Sequence, residues 1–379
     1  MTQTAAQALA RQYKLFGCIQ CGKCSGGCPV SLSIRRLIRE TIVRDNLDLK
    51  RDDLWNCTAC STCTVRCPKE LKPSDLVVGM RGLLIEEGRI GATIIEALES
   101  TDKYGNPWGR PRNKRTDWAA GLNVREVAAG EAVDVLYFVG CTPAYDSRVQ
   151  NAARAAVACF QHLGADFGIL GNAETCCGNE IRRMGEAGLF EVLRDENTKL
   201  FQERQIGRVV TTSPHCYNTF KNEYGEMNVK VQHSTQYLAE LIDEGKLVFK
   251  GGAKDAAARK VVYHDPCFLG KQNKVFDEPR KILASVPGVE LIEFDRSRER
   301  SLCCEGGGGR MWVESSAERE RLAEVRVKDA AELGADVLAT ACPFCLLTLE
   351  DAVKTADLEG KLKIMDIMEL VSEALQPKS

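Results

Sequence analysis

Eight cysteines in two short runs constrain this chain more than anything else in it. Cys18, Cys21, Cys24 and Cys28 are followed by Pro29, and Cys57, Cys60, Cys63 and Cys67 by Pro68. Both runs read C-x2-C-x2-C-x3-C-P, the spacing with which a chain holds two 4Fe–4S cubanes and sends the fourth cysteine of each run to the other cluster. Three closely spaced thiolates wrap one corner of a cubane, and the proline turns the fourth away. One cluster is therefore expected on Cys18, Cys21, Cys24 and Cys67, and the second on Cys28, Cys57, Cys60 and Cys63. Structural zinc also uses C-x2-C pairs. Eight ligands in this doubled pattern point to iron instead.

The chain has 18 cysteines in 379 residues, and its opening, MTQTAAQALARQYKLF, lacks the apolar core of a secretory signal. A chain this long can bury a sizeable core without disulfide staples, so the thiols imply metal ligation in a reducing, cytoplasmic setting. Lys+Arg number 51 against 53 Asp+Glu, which leaves no whole-protein basic field for nucleic acid. The longest apolar run, Val133 to Cys141, is far short of the roughly 18 residues that cross a bilayer. It reads as a buried strand.

A two-cluster ferredoxin-like domain is expected over residues 1–100. Its helical stretches run from Ser31 to Arg51 and from Pro73 through Leu76, Met80 and Leu84. Residues 101–130 read as a linker, because Tyr104 to Thr116 (YGNPWGRPRNKRT) is rich in Gly, Pro and basic residues without periodicity. Its basic cluster, Arg110, Arg112, Lys114 and Arg115, is either a dock for an acidic partner or simply solvated charge.

From residue 131 the chain repeats itself. The first unit, 131–255, runs from the strand VDVLYFVG and Cys141 to Cys176–Cys177–Gly178, then to the strand RVVTT and Ser213-Pro214-His215-Cys216. The second, 256–379, runs from KVVYHDP and Cys267 to Cys303–Cys304, then to DVLATA and Cys342-Pro343-Phe344-Cys345. The spacings are 34 and 35 residues in the first unit and 35 and 37 in the second, the mark of a duplicated supersecondary unit. Strands alternating with helical stretches argue for mainly parallel α/β sheets. Ser315 with Glu318 forms a capping box for one of these helices, and Gly334 ends it. The expected fold is thus multidomain: a mostly helical two-cluster domain followed by two repeated α/β cysteine-rich units. The repeat cysteines fall just past strand ends, where open α/β sheets place ligands.

The second unit offers five thiols, Cys267, Cys303, Cys304, Cys342 and Cys345, where a cubane takes four. Adjacent cysteines do not easily serve one tetrahedral zinc. The residues therefore leave two readings, a cubane plus a spare reactive thiol or an iron–sulfur cluster of unusual shape.

These motifs, together with HDPCFLG at His264–Gly270, SLCCEGGGGRMW at Ser301–Trp312 and YGNPWG at Tyr104–Gly109, resemble the cysteine-rich CCG family. The resemblance extends over nearly the whole chain, the N-terminal part being similar to the C subunit of heterodisulfide reductase and the repeat to the B subunit, fused as in the D-type subunit. It implies that the complete five-cysteine set binds a non-cubane 4Fe–4S cluster, a fused pair of smaller iron–sulfur units, which in heterodisulfide reductase cleaves a disulfide. The first unit departs from the pattern, with Ser213 at the position of the first cysteine of C-x-x-C. Cys141, Cys176, Cys177 and Cys216 remain there, for one further cluster or a metal-free pocket, since a hydroxyl is a poorer ligand than a thiolate. The paired-cluster mechanism therefore does not carry over intact.

Lesser candidates surround the second site. Glu305, following the cysteine pair, tunes potential or handles protons, or else faces solvent. Gly306, Gly307 and Gly308 let backbone N–H groups approach cluster sulfides. His264 and His215 lie beside ligand cysteines and either relay protons or fill structural roles. Cys159, in AARAAVACFQHL, reads as a core residue.

Three function classes follow: a thiol–disulfide oxidoreductase subunit, a relay between a flavoprotein and quinone or another enzyme, and a metal-stabilised binding protein. Two ferredoxin clusters disfavour the third. The relay alternative resembles subunits of glycolate or lactate oxidase, electron-transfer-flavoprotein and benzoyl-CoA reductase assemblies. No flavin, NAD or quinone motif is present, so a flavin-containing subunit or other iron–sulfur subunits are the expected partners, with a disulfide or thiol as substrate. Membrane contact, if any, is expected to be peripheral, through those partners.

Overall fold

The computed structural model describes residues 4–43, 45, 47, 49, 52–249, 258–313 and 319–375. Ser315 and Glu318, the expected capping pair, lie outside the described residues.

The two N-terminal cysteine runs adopt one backbone shape twice. Left-handed residues fall at matching places: Gln20 and Ala59 (φ 55° and 49°), Gly22 and Ser61 (77° and 59°), Ser31 and Glu70 (57° and 54°). Five of these six are not glycine, so each costs about 1–2 kcal/mol of backbone strain. The turns they make fold each run back on its own sulfurs and open the short helices Lys23–Gly26 and Thr62–Val65. Around them the helices Ala5–Gln12, Ile34–Val43 and Pro73–Glu86 bury Leu9, Leu37, Ile38, Leu76, Val77 and Met80 against the cysteines. Pro73 begins its helix at a position where no N–H is needed, with Asp75 in the first turn. The helix expected from Ser31 starts instead at Ile34, because the left-handed Ser31 still belongs to the turn after Cys28–Pro29.

Each repeat is a four-stranded parallel sheet. In the first unit β1 (Val135–Tyr137), β2 (Phe167–Gly168), β3 (Arg208–Thr211) and β4 (Lys230–His233) lie in the order β2-β1-β3-β4. In the second, β5 (Arg259–Tyr263), β6 (Val289–Ile292), β7 (Val337–Thr340) and β8 (Lys363–Asp366) lie in the order β6-β5-β7-β8. The identical order establishes the duplication in three dimensions. In each sheet the order reverses between the two central strands, which opens a crevice at their carboxyl ends. Cys141 and Ser213 leave β1 and β3 there; Cys267 and Cys342 leave β5 and β7.

The units pack through the alanine-rich helix Gln150–His162 against Ile367–Leu375, a contact that buries Cys159 completely. Gly334, with φ +68°, follows the helix Leu322–Glu332 and lets the Ala335 N–H reach the Ala330 carbonyl. Of the segment 101–130, expected as a linker, residues 101–104 finish the helix Ala92–Tyr104 and the rest packs into the first unit. Trp118 is buried edge-on to Tyr137, and Val127 N–H donates to Ile169 O. Arg115 is buried too, so the basic cluster is not uniformly solvated.

One residue ties all three parts together. Arg81 is fully buried and donates to the carbonyls of Leu54 and Cys57 in the N-terminal domain, Arg183 in the first unit and Gly308 in the second.

Candidate metal centres and their relatives

The fold brings Cys67 to Cys18, Cys21 and Cys24 around one small pocket, and Cys28 to Cys57, Cys60 and Cys63 around another. The first set opens outward: Cys21 is exposed, and Lys23, Arg35 and Lys69 share its rim. The second is turned inward, with Cys57, Cys60 and Cys63 buried. Burial pushes the Cys28 thiol up to about 11 and raises Cys57 and Cys63 as well. Metal loading must therefore displace protons from these thiols.

In the second unit all five thiols are buried. The adjacent pair stays in contact but reaches different neighbours. Cys304 Sγ lies 3.2 Å from Cys345 Sγ, while Cys303 also meets Cys267 and, in the N-terminal domain, Cys60 and Thr58. Five thiols gathered this way exceed what one tetrahedral ion takes and suit a larger iron–sulfur group. The loop behind the pair aims amides at it: Glu305 N–H and Gly306 N–H stand 3.4 Å from the sulfurs of Cys303 and Cys304. Gly307 and Gly308 serve close packing instead. A Cβ on Gly307 would lie 2.8 Å from His215 Cε1, and one on Gly308, at φ +72°, would lie 2.5 Å from the Thr58 carbonyl carbon.

Glu305 corrects both sequence readings. The residue after the pair must turn with positive φ; Gly178 does so at +80° in the first unit and Glu305 at +69° in the second. That turn sends the carboxylate away from the thiols to accept from Leu322 N–H at 2.6 Å and to pair with Arg319. Glu305 caps a helix. His264 is buried, 1% exposed, and its Nδ1 accepts from Arg326 Nε at 3.3 Å. Burial and the Arg326 charge hold it down at about 3, so it is neutral at ordinary pH and offers one N–H rather than a titrating proton. Its ring nitrogen, Cys304 Sγ and Cys345 Sγ lie within 4.8 Å of one another.

In the first unit Cys141, Cys176, Cys177 and Cys216 line a pocket with Trp108, Glu180, His215 and Phe344. Ser213 is engaged elsewhere: its Oγ accepts from Cys216 N–H at 3.4 Å and caps the helix Pro214–Asn222. Glu174 and Glu180 here escaped sequence reading, and Arg115 reads in sequence only as docking or solvated charge. Arg115 pairs with Glu174 at 2.6 Å, both nearly fully buried, and its Nη2 lies 3.6 Å from Cys141 Sγ. Glu174 also accepts from Val139 and Gly140 N–H. Glu180 holds His215 Nδ1 at 2.9 Å. Burial works against a charged His215, yet contacts with Cys342 and Glu180 raise it to about 10.

Soft sulfur donors line each of these sites. That donor set fits iron–sulfur clusters.

The comparisons with known proteins agree. The cysteine-rich (CCG) domain family matches residues 135–221 and 261–350, and the 4Fe-4S dicluster domain family matches residues 14–71. The D-type subunit of dihydromethanophenazine:CoB--CoM heterodisulfide reductase, from Methanosarcina barkeri, is 30% identical over 401 residues, covering 96% of this chain and 94% of its own. The chain belongs to that D-type family. It is an iron–sulfur protein with multiple 4Fe–4S clusters, built of a ferredoxin-like domain followed by two CCG repeats. The chain is also similar to "Probable iron-sulfur-binding oxidoreductase FadF" of Bacillus subtilis, 35% identical over 337 residues, and to "EtfAB:quinone oxidoreductase" of Syntrophomonas wolfei, 32% over 339. It spans 47% of the length of each of these two relatives and matches them over 86% of its own. Among the described residues no helix is long and apolar enough to cross a membrane.

Proposed function

We propose that the chain is an oxidoreductase subunit that moves electrons from its ferredoxin-like domain to a redox terminus in the second CCG unit. One observation carries this reading: Cys303 of the second unit meets Cys60 and Thr58 of the N-terminal domain. Lys271 and Gln272 grip the same loop by donating to Thr62 Oγ1 and the Ala59 carbonyl. The implied order runs from the outward-facing site of Cys18, Cys21, Cys24 and Cys67 to the inward-facing site of Cys28, Cys57, Cys60 and Cys63. It ends at Cys267, Cys303, Cys304, Cys342 and Cys345. When bound, the clusters supply one-electron transfer. The protein supplies the thiolates, the amides aimed at them and a dry surrounding.

The substrate class this reading favours is a disulfide: two electrons and two protons convert one S–S bond to two thiols, and the reverse oxidises thiols. The names of the heterodisulfide reductase relatives support that class. In the first unit, Cys141, Cys176, Cys177 and Cys216 are the ligands proposed for one further cluster. The electron donor in this reading is a separate, flavin-containing redox protein, because the chain shows no hydride-handling motif. The entry face supports such docking. Phe16 and Ile19 are exposed beside Cys18 and Cys21, and residues 11–39 hold six Lys or Arg and no carboxylate. Any membrane association is peripheral and made through partners; one relative is named "Probable membrane-anchored ferredoxin".

Anaerobically purified protein should carry about 12 iron, or about 16 with the first unit loaded, at four per cluster. Cys304→Ala should abolish a thiol-responsive paramagnetic signal and leave about eight iron in the ferredoxin-like domain. About eight or fewer in the unaltered protein would sink the special site.

A further inference from the structure

Charge is unevenly spread along this chain. The whole sequence carries a formal charge of −2, yet residues 11–39 hold six Lys or Arg and no carboxylate, which leaves −8 on everything else. The fold gathers part of that excess around the outward-facing cysteines. Cys21 is exposed, and Lys23, Arg35 and Lys69 share the rim around Cys18, Cys21, Cys24 and Cys67. Past Lys69, Glu70 is offset by Lys72. Arg35, Arg36 and Arg39 are exposed on the helix Ile34–Val43, which buries Leu37 and Ile38 inward. Arg35 and Arg39 stand one turn apart, a spacing at which like charges repel. Among the described residues, Arg36 is the one member of this trio in an ion pair, with Glu40. Beside the cysteines the surface turns apolar: Phe16 is 63% exposed and Ile19 58%, on either side of Cys18. Large apolar side chains left in water next to a charged rim are the anatomy of a contact surface.

We propose that this face is the docking surface for an acidic, flavin-containing one-electron carrier, whose carboxylates meet Lys23, Arg35 and Arg39 while its apolar rim covers Phe16 and Ile19. The proposal rests on the proposed function, in which electrons enter through the N-terminal cysteines, and adds the partner's charge and its footprint. The charge pattern selects the sign. A basic carrier is repelled here and drawn to the remaining surface, away from the exposed cysteine. An acidic carrier is steered to the entry face and repelled elsewhere, so the field orients it as well as attracting it. An anionic lipid surface carries the same sign of charge, but it would seal Cys21 under headgroups and bring no electrons. Each docking passes one electron from the carrier's flavin to the N-terminal domain, oxidising the first and reducing the second, with no atom transferred.

The test follows, by stopped-flow absorbance, reduction of the anaerobic, iron-loaded full chain by excess reduced flavodoxin, an acidic flavoprotein. The rate constant should fall at least about tenfold between about 0.01 M and about 1 M salt, as the screening length shrinks from about 30 Å to about 3 Å. Arg35→Glu combined with Arg39→Glu should slow reduction at low salt at least about tenfold. Lys354→Glu combined with Lys361→Glu, exposed on the second unit, should leave it unchanged. If the Arg35 and Arg39 double variant loses iron, Arg35→Gln with Arg39→Gln replaces it, and the salt dependence of the unaltered protein decides in either case. A rate insensitive to salt, or equal slowing by the Lys354 and Lys361 changes, would overturn the proposal. So would phosphatidylglycerol-vesicle binding that the Arg35 and Arg39 changes abolish while reduction by flavodoxin continues undiminished. Salt-dependent reduction that leaves the second unit oxidised would sink the proposed electron route and keep the docking surface; electrons reaching the second unit at a salt-independent rate would do the reverse.

Discussion

Replacing Arg81 by Leu tests whether the three parts of the molecule are held by one buried side chain. Arg81 is 0% exposed and makes five hydrogen bonds to four carbonyls, those of Leu54, Cys57, Arg183 and Gly308, at 2.7–3.2 Å. Leucine fills part of the volume but leaves every one of those acceptors without its donor. Each unmade bond to a buried acceptor costs about 1–3 kcal/mol gross. The cation's own desolvation, which depresses its pKa, is recovered in the variant and offsets part of the loss. The net cost should be about 3–5 kcal/mol, the range seen when one member of a buried charged network is removed. At about 2–4 °C per kcal/mol this lowers the unfolding midpoint of anaerobic, iron-loaded protein by roughly 6–20 °C. The same variant should slow reduction of the second unit by electrons entering at the ferredoxin-like domain, because Cys57 and Gly308 both flank the Cys60–Cys303 contact. A midpoint within about 1 °C of the original, with transfer intact, would refute the reasoning.

Two further outcomes follow from the geometry. Burial pushes Asp366 up to about 8 from its ordinary 3.8, so the fold holds it protonated while the unfolded chain ionises. The stability it contributes is complete below about pH 4 and falls as pH rises toward 8, by about 1.4 kcal/mol per unit. Asp366→Asn keeps the cap to Met368 N–H. It should gain on the unaltered protein between about pH 5 and 8 in thermal melts, and identical pH profiles would contradict this. Gly308→Ala places a Cβ against the Thr58 backbone at positive φ. It should push the ferredoxin-like loop off Cys303 and cut transfer into the second unit severalfold without changing iron content; unimpaired transfer would show that this contact is not the route.

The central strands were legible because burial on both faces writes their middles as apolar runs: VLY in β1, VV in β3, VVY in β5 and VLA in β7. The outer strands escaped. KVQH and KIMD mix polar and apolar residues, and Phe167–Gly168 is too short to show a period. Thiol spacing revealed which cysteines belong together because ligation ties sequence distance to geometry. Charged partners carry no such periodic signature. Arg115 stands in a run of basic residues, and Glu174 and Glu180 flank the Cys176–Cys177 pair, a nearness in sequence that does not show which acids the fold buries beside thiols. Glu305 misled for a conformational reason: the turn after the cysteine pair decides where its side chain points, and that turn is invisible in residue chemistry.

Duplication would be expected to yield two equivalent sites, and the departures from equivalence all favour the second. Ser213 spends its hydroxyl on a helix cap, which leaves the first crevice with four thiols against five. The ferredoxin-like domain touches both units through Arg81, but it is Cys303 of the second unit that Cys60 meets sulfur to sulfur. Each crevice also has a buried cation nearby: Arg115, paired with Glu174, stands 3.6 Å from Cys141 Sγ in the first, and Lys271 is buried beside the loop that connects the second to the ferredoxin-like domain. Local positive charge and N–H donors stabilise a site that must accept negative charge. An electron entering at the exposed N-terminal cysteines thus meets increasing burial, and at its end the crevice with five thiols and the buried Lys271 beside it. That gradient supports the second unit as the point where electron transfer ends and bond chemistry begins.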